Sequence, residues 1–136
     1  MTRPPHLDPR LVAVVALGGA VGTTARWAVS EWLGTSAAGW PTATFVVNVL
    51  GSFLLGVLLE ALLRHGQESR RGRLVRLGAG TGVLGGFTTF SSLALEMERL
   101  IAADQVALSA AYGTLSVVLG LLACLAGVAL GSRRVR

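Results

Sequence analysis

The chain has 136 residues, 52% of them hydrophobic and only 14% charged, with a mean hydropathy of +0.64. A soluble domain carries nearer ~25% charged residues, so this composition excludes an ordinary soluble globule and leaves almost nothing for a second, water-exposed unit. The net charge of +5 rests on twelve arginines with no lysine; they flank apolar runs, which assigns them to membrane topology rather than to nucleic acid.

Apolar runs at 11–33, 41–63, 74–103 and 106–130 are each long enough to cross a bilayer. The expected fold is a single all-α integral membrane domain over residues 1–136, with four transmembrane helices and short connections. The basic segment Met1–Arg10 followed by apolar Leu11–Val21 also fits a cleaved leader, but three further spans keep the membrane assignment either way.

The first run carries Gly18 and Gly22 as a GxxxG pair, a spacing that lets helix backbones approach closely. Arg26 follows one turn later, with Trp27, Trp32 and Trp40 nearby, as at a headgroup boundary. Arg26 and Glu60 lie within a turn or two of span ends, where long side chains snorkel. The 34–39 connection is small and uncharged. The second run opens at Pro41, a suitable helix start, and places Thr44, Asn48, Ser52 and Gly56 at successive i+4 positions on one face. Such a stripe should meet protein or water, because lipid offers no hydrogen-bonding partners.

The third run is the anomalous one. As a single helix, 74–103 would be about 45 Å long at ~1.5 Å per residue, against a hydrocarbon core of about 30 Å. Gly78, Gly80 and Gly82 weaken it, and the polar, glycine-led stretch Gly85–Ser92 is expected to break it. Irregular backbone at membrane depth is tolerated only where protein buries it or a wet cavity adjoins it, and in transporters it sits at ion sites. Freed carbonyls are hard oxygen ligands. With no carboxylate inside the stretch, they suit a monovalent cation better than calcium or magnesium. The hydroxyls of Thr88, Thr89, Ser91 and Ser92 and the positive ring edges of Phe87 and Phe90 equally suit a small anion. Asn48, Tyr112 and Ser116 add conventional donors; a bare packing hinge is the simplest alternative. Glu96 and Glu98 read as interfacial or helix-packing charges. The fourth run shows a small-residue face through Gly113, Ser116, Gly120, Cys124, Gly127 and Gly131.

No catalytic constellation is present in this pattern. His6 and His65 lie in polar flanks, Cys124 is the single cysteine, and Ser91 and Ser92 have no histidine or lysine partner at membrane depth. An enzyme is not expected. With four spans, Arg3, Arg10, Arg64, Arg70, Arg71, Arg73, Arg76, Arg133, Arg134 and Arg136 fall on one side and Arg99 opposite, which predicts cytoplasmic termini.

Three motifs carry a resemblance. Gly82–Ser91, reading Gly-x-x-Gly-Gly-Phe-Thr-Thr-Phe-Ser, is similar to the signature of the Fluc (CrcB) fluoride channels. Val47–Gly56 resembles that family's second-helix motif, and Gly18–Gly22 with Arg26 its first. The resemblance implies a fluoride-specific channel of the cell membrane that exports fluoride from the cytoplasm and reduces its toxicity. It also implies an antiparallel dimer with a structural, non-transported sodium ion (Na+) at its centre, held by the backbone carbonyls of Gly85 and Thr88. Asn48, Phe90, Ser91, Tyr112 and Ser116 would form the fluoride pore, and Gly18, Gly22 and Arg26 would serve packing or the interface. The chain departs from the family pattern at Leu93, where a second phenylalanine is expected, and at Gly120, where a hydroxyl is lost.

One sequence that inserts in both orientations needs a weak arginine bias. The strong bias here points to a heterodimer with a related chain inserted the opposite way, with a homodimer as the other possibility. The partners are thus fluoride, the lipid bilayer and a dimer mate, and no nucleic acid. Two competing readings are a non-transporting membrane assembly subunit and a small multidrug-type exporter. The exporter would need an intramembrane carboxylate in the first span, which has no acid before Glu31.

Overall fold

The computed structural model describes residues 8–33, 39–64 and 69–133, and Arg3, His6, His65, Arg134 and Arg136 lie outside the described residues. The described residues form helices and connections, without strands. Helix α1 (Pro9–Leu33) starts with proline at its first position, where a missing N–H costs nothing, and the Asp8 carboxylate accepts from the Arg10 amide at 2.9 Å. Helix α2 (Thr42–Leu63) follows Pro41. Helix α3 (Arg70–Val75) is capped by Ser69, whose hydroxyl accepts from the Gly72 amide at 3.0 Å, so helix begins four residues before the apolar run does. It continues without interruption as a π-helical segment (Arg76–Leu84) and helix α4 (Gly85–Phe87). Helix α5 (Phe90–Ala102) ends in a tight turn with Asp104 at φ 58°, where Gln105 N–H reaches the Leu100 carbonyl at 2.8 Å and Asp104 N–H the Ile101 carbonyl at 3.0 Å. Helix α6 (Val106–Arg133) follows at once.

Three of these helices, α1, α2 and α6, are long and apolar enough to cross a membrane. At ~1.5 Å per residue, α2, the shortest of them, already spans about 33 Å. Large apolar side chains such as Leu17, Val117 and Leu121 remain exposed along them, as lipid-facing surface requires.

Glycine sets the packing. A side chain on Gly18 would strike the Gly78 carbonyl, and one on Gly22 the Val83 carbonyl, so α1 runs parallel to the π-helical segment with backbones nearly touching. The same device joins α2 to α6, where Gly56 meets the Cys124 carbonyl and Gly127 the Phe53 carbonyl. The buried face of α6 includes Gly113, Ser116, Gly120, Gly127 and Gly131. α5 returns against α6, with Met97 over Gly113. A small apolar core of Leu93, Leu100 and Tyr112 forms there, and Trp40 lies edge-on to Tyr112 at 5.2 Å and to Phe45 at 5.5 Å.

These directions gather the start of α1, the ends of α2 and α6, and the start of α3 at one end of the bundle. Arg10, Arg64, Arg70, Arg71, Arg73 and Arg133 share that end, and Arg99 lies at the other.

Candidate functional site

Two consecutive residues leave the helix between α4 and α5. Thr88 (φ −80°, ψ 153°) and Thr89 (φ −151°, ψ 115°) are extended, whereas Gly85 and Gly86 remain helical and Ser91 and Ser92 already belong to α5. The expected Gly85–Ser92 interruption is therefore narrower and begins later. Gly85 and Gly86 keep helical geometry because the rod is pressed onto α1, where Gly86 faces the Gly19 backbone. The Thr88 amide still bonds the Leu84 carbonyl at 2.9 Å, and the Thr88 hydroxyl donates to the same carbonyl at 2.9 Å. On the far side Thr89 acts as the N-cap of α5, its hydroxyl accepting from the Ser92 amide at 3.1 Å.

Asn48 fixes the extended pair. Its side-chain oxygen accepts from the Thr89 amide at 2.8 Å, and its NH2 group donates to the Thr89 carbonyl at 3.0 Å. A primary amide has two N–H donors, so one remains after this pairing. From α1, Arg26 Nε donates to the Gly86 carbonyl at 3.2 Å. Extending Thr88 and Thr89 removes the helical partners of the preceding carbonyls. Leu84, Gly86 and Thr89 recover partners as above, but among the described residues no hydrogen bond reaches the carbonyl oxygens of Gly85, Phe87 or Thr88.

A cavity of about 300 Å³ adjoins these atoms, lined by Asn48, Ser52, Gly85, Thr88, Phe90 and Leu93 among others. Phe90 stands 79% exposed at its edge, while Leu93 is turned into the core. Gly51 sits directly under the Thr88 methyl, so a larger residue there would displace it.

A second polar cluster lies nearby on α5. The Glu96 carboxylate accepts from the Tyr112 hydroxyl at 2.6 Å and from the Thr44 hydroxyl at 2.7 Å, and Ser109 donates to the Met97 carbonyl at 3.0 Å. Ser116, one turn beyond Tyr112, is buried, and its hydroxyl has no hydrogen-bond partner among the described residues. The structure thus brings Asn48, Gly85, Thr88 and Phe90 around one cavity. Tyr112 and Ser116 do not line it, and Ser91 is exposed, with its hydroxyl 3.2 Å from that of Thr89. Glu96, which the sequence marks as an interfacial or helix-packing charge, is packed between helices, and its partners are what the sequence does not name. Its signal was an acid beyond the break in an apolar run, with hydroxyl-bearing residues on neighbouring spans. Gly18 and Gly22 both lie in the seam between α1 and the π-helical segment.

Residues 13–128 match the family model described as "CrcB-like protein, Camphor Resistance (CrcB)". The chain is 46% identical over 129 residues to "Fluoride-specific ion channel FluC 2" of Leifsonia xyli subsp. xyli, covering 95% of this chain and 88% of that one. It is 48% identical over 121 residues to "Fluoride-specific ion channel FluC" of Deinococcus radiodurans, covering 88% and 93% of the two chains. The protein of the same name from Thermus thermophilus is 42% identical over 119 residues, covering 87% and 91%. With a family model matched over most of its length and relatives this similar, the chain belongs to the CrcB family.

Proposed function

We propose that this membrane protein is a fluoride-specific ion channel, not an enzyme, that lets fluoride leave the cytoplasm through the cell membrane. The observation that carries this reading is its identity to proteins named as fluoride-specific channels, over nearly their whole length. The segments 70–87 and 90–102 then act together as a fourth, broken span. Both termini and the 64–73 connection lie in the cytoplasm, on the arginine-rich side.

The Gly85 and Thr88 carbonyls, left without described partners, suit a fixed sodium ion, because unpaired backbone oxygens replace a hydration shell for an alkali cation. When bound, that ion would supply a fixed positive charge that holds the two carbonyls together. Asn48 has a donor to spare for fluoride, Phe90 offers a ring edge at the cavity rim, and Ser91, Tyr112 and Ser116 contribute hydroxyls along the path. The unpaired Ser116 hydroxyl supports that role, since a buried O–H without a partner costs free energy unless something visits it. Gly18, Gly22 and Arg26 hold the break against α1.

The assembly is an antiparallel dimer. The strong arginine bias pairs this chain with a related one inserted the opposite way, in preference to a second copy of itself. The purified chain in liposomes, loaded with fluoride and followed by a fluoride electrode, tests the reading. Efflux that excludes chloride is expected when the related chain is present. No fluoride flux with or without that chain overturns the channel; full flux from this chain alone overturns the heterodimer.

A further inference from the structure

The arginines at one end of the bundle take no part in the break or the Glu96 cluster. Helix α3 is only six residues long, RRGRLV, and leaves Arg70, Arg71 and Arg73 exposed. Next to them Leu74 and Val75 are 37% and 46% exposed. The ends of α2 and α6 bring Arg64 and Arg133 to the same end, along with Leu63, which is 75% exposed. Acid is sparse here among the described residues, because Glu60 is paired with Arg64 and Asp8 caps α1. The opposite end exposes Glu31, Glu98 and Asp104 beside Arg99. Charge is therefore segregated along the molecule.

Guanidinium groups and bare leucine and valine side chains on one short helix make conflicting demands on their surroundings. Water or a soluble polyanion would satisfy the arginines and leave Leu63, Leu74 and Val75 exposed to solvent. Hydrocarbon alone would strand the charges. A bilayer surface rich in phosphate satisfies both, since apolar side chains meet acyl chains while the planar guanidinium forks meet phosphate oxygens. Basic clusters just outside a membrane span act in this way toward anionic lipids. We propose that this end is a docking surface for anionic phospholipid headgroups, with Arg70 and Arg71 as the phosphate contacts and Leu74 and Val75 beside the acyl chains. The proposal goes beyond the channel reading and uses none of its pore residues.

Native mass spectrometry of the full chain, offered equal amounts of phosphatidylglycerol and phosphatidylcholine, tests it. The chain is expected to retain phosphatidylglycerol in preference, less so as salt is raised. The Arg70→Gln/Arg71→Gln variant should lose about fivefold of that preference per arginine, whereas Arg70→Lys/Arg71→Lys, which keeps the charge but not the fork, loses less than the glutamine variant, and Arg99→Gln leaves it unchanged. Equal retention of the two lipids by the unaltered chain overturns the proposal even if the glutamine variant does not fold. So does an unchanged preference in a folded glutamine variant, or complete displacement by inorganic phosphate, which would mark a free-anion site.

Discussion

Residues 74–87 and 90–102 come from one apolar stretch yet are held in opposite ways. Along its glycine seam the first half meets α1 through backbone, with one side-chain bond, from Arg26 of α1 to the Gly86 carbonyl. Gly78, Gly82 and Gly86 lie against Val14, Gly18 and Gly19, and the attraction is close contact between backbones. The second half is held by side chains: Glu96 bridges Thr44 and Tyr112, and Leu93 and Leu100 pack with Tyr112. Between them only Thr88 and Thr89 depart from helix, clamped by Asn48. Rigidity resides in the seam. A backbone seam tolerates no added atom, whereas a side-chain network loses one bond at a time.

The largest effect should therefore come from the seam. In Gly22→Leu the new Cβ would fall on the Val83 carbonyl and beside the Phe87 amide, and backbone cannot move aside cheaply. The expected loss is about 3 kcal/mol or more, read as reversible unfolding in mixed micelles. Gly19→Ala is the internal control, since a Cβ at Gly19 meets nothing within 4 Å. That change should be neutral or stabilise by up to about 1 kcal/mol through helix propensity. Equal destabilisation by both would remove the distinction between seam and network.

Next comes the clamp. Asn48→Leu deletes both hydrogen bonds to Thr89 and leaves a backbone N–H and C=O unpaired in a half-buried site. A cost of about 2–3 kcal/mol follows, together with loss of fluoride flux in liposomes. Asn48→Asp keeps the acceptor for the Thr89 amide and loses the donor to its carbonyl, so it should fall between the two. Flux and stability both unaltered in Asn48→Leu would show that the extended pair is held by something else.

The sequence made some of this legible, and the reasons are physical. Thr44, Asn48, Ser52 and Gly56 recur every four residues, which puts them on one helix face before any contact is known. In the structure that face meets Glu96, Thr89, Gly120 and Cys124 in turn. What Asn48 grips was not legible, because its partner is the backbone of a residue 41 positions away, and backbone groups carry no residue signature. Glycine propensity placed the start of the irregular stretch at Gly85, but propensity is local, and contact with α1 keeps Gly85 and Gly86 helical. Glu96 reads from the sequence only as an interfacial or helix-packing charge, because its two hydroxyl partners come from other helices, 52 and 16 residues away in the chain.

The smallest effect belongs to that network. Tyr112→Phe removes one hydroxyl from Glu96 and keeps the ring against Leu93, Leu100 and Trp40. Thr44 still donates to the other carboxylate oxygen. Because hydrogen bonds between membrane helices average well below the cost of an apolar cavity, the loss should be about 1 kcal/mol. Thr44→Val tests the same carboxylate from α2, and the double variant decides whether the two hydroxyls act independently. If they share Glu96 as one unit, the second removal should cost more than the first, because the carboxylate then has no described partner left. Strict additivity would instead make the second half of the stretch a set of separate bonds, each dispensable on its own.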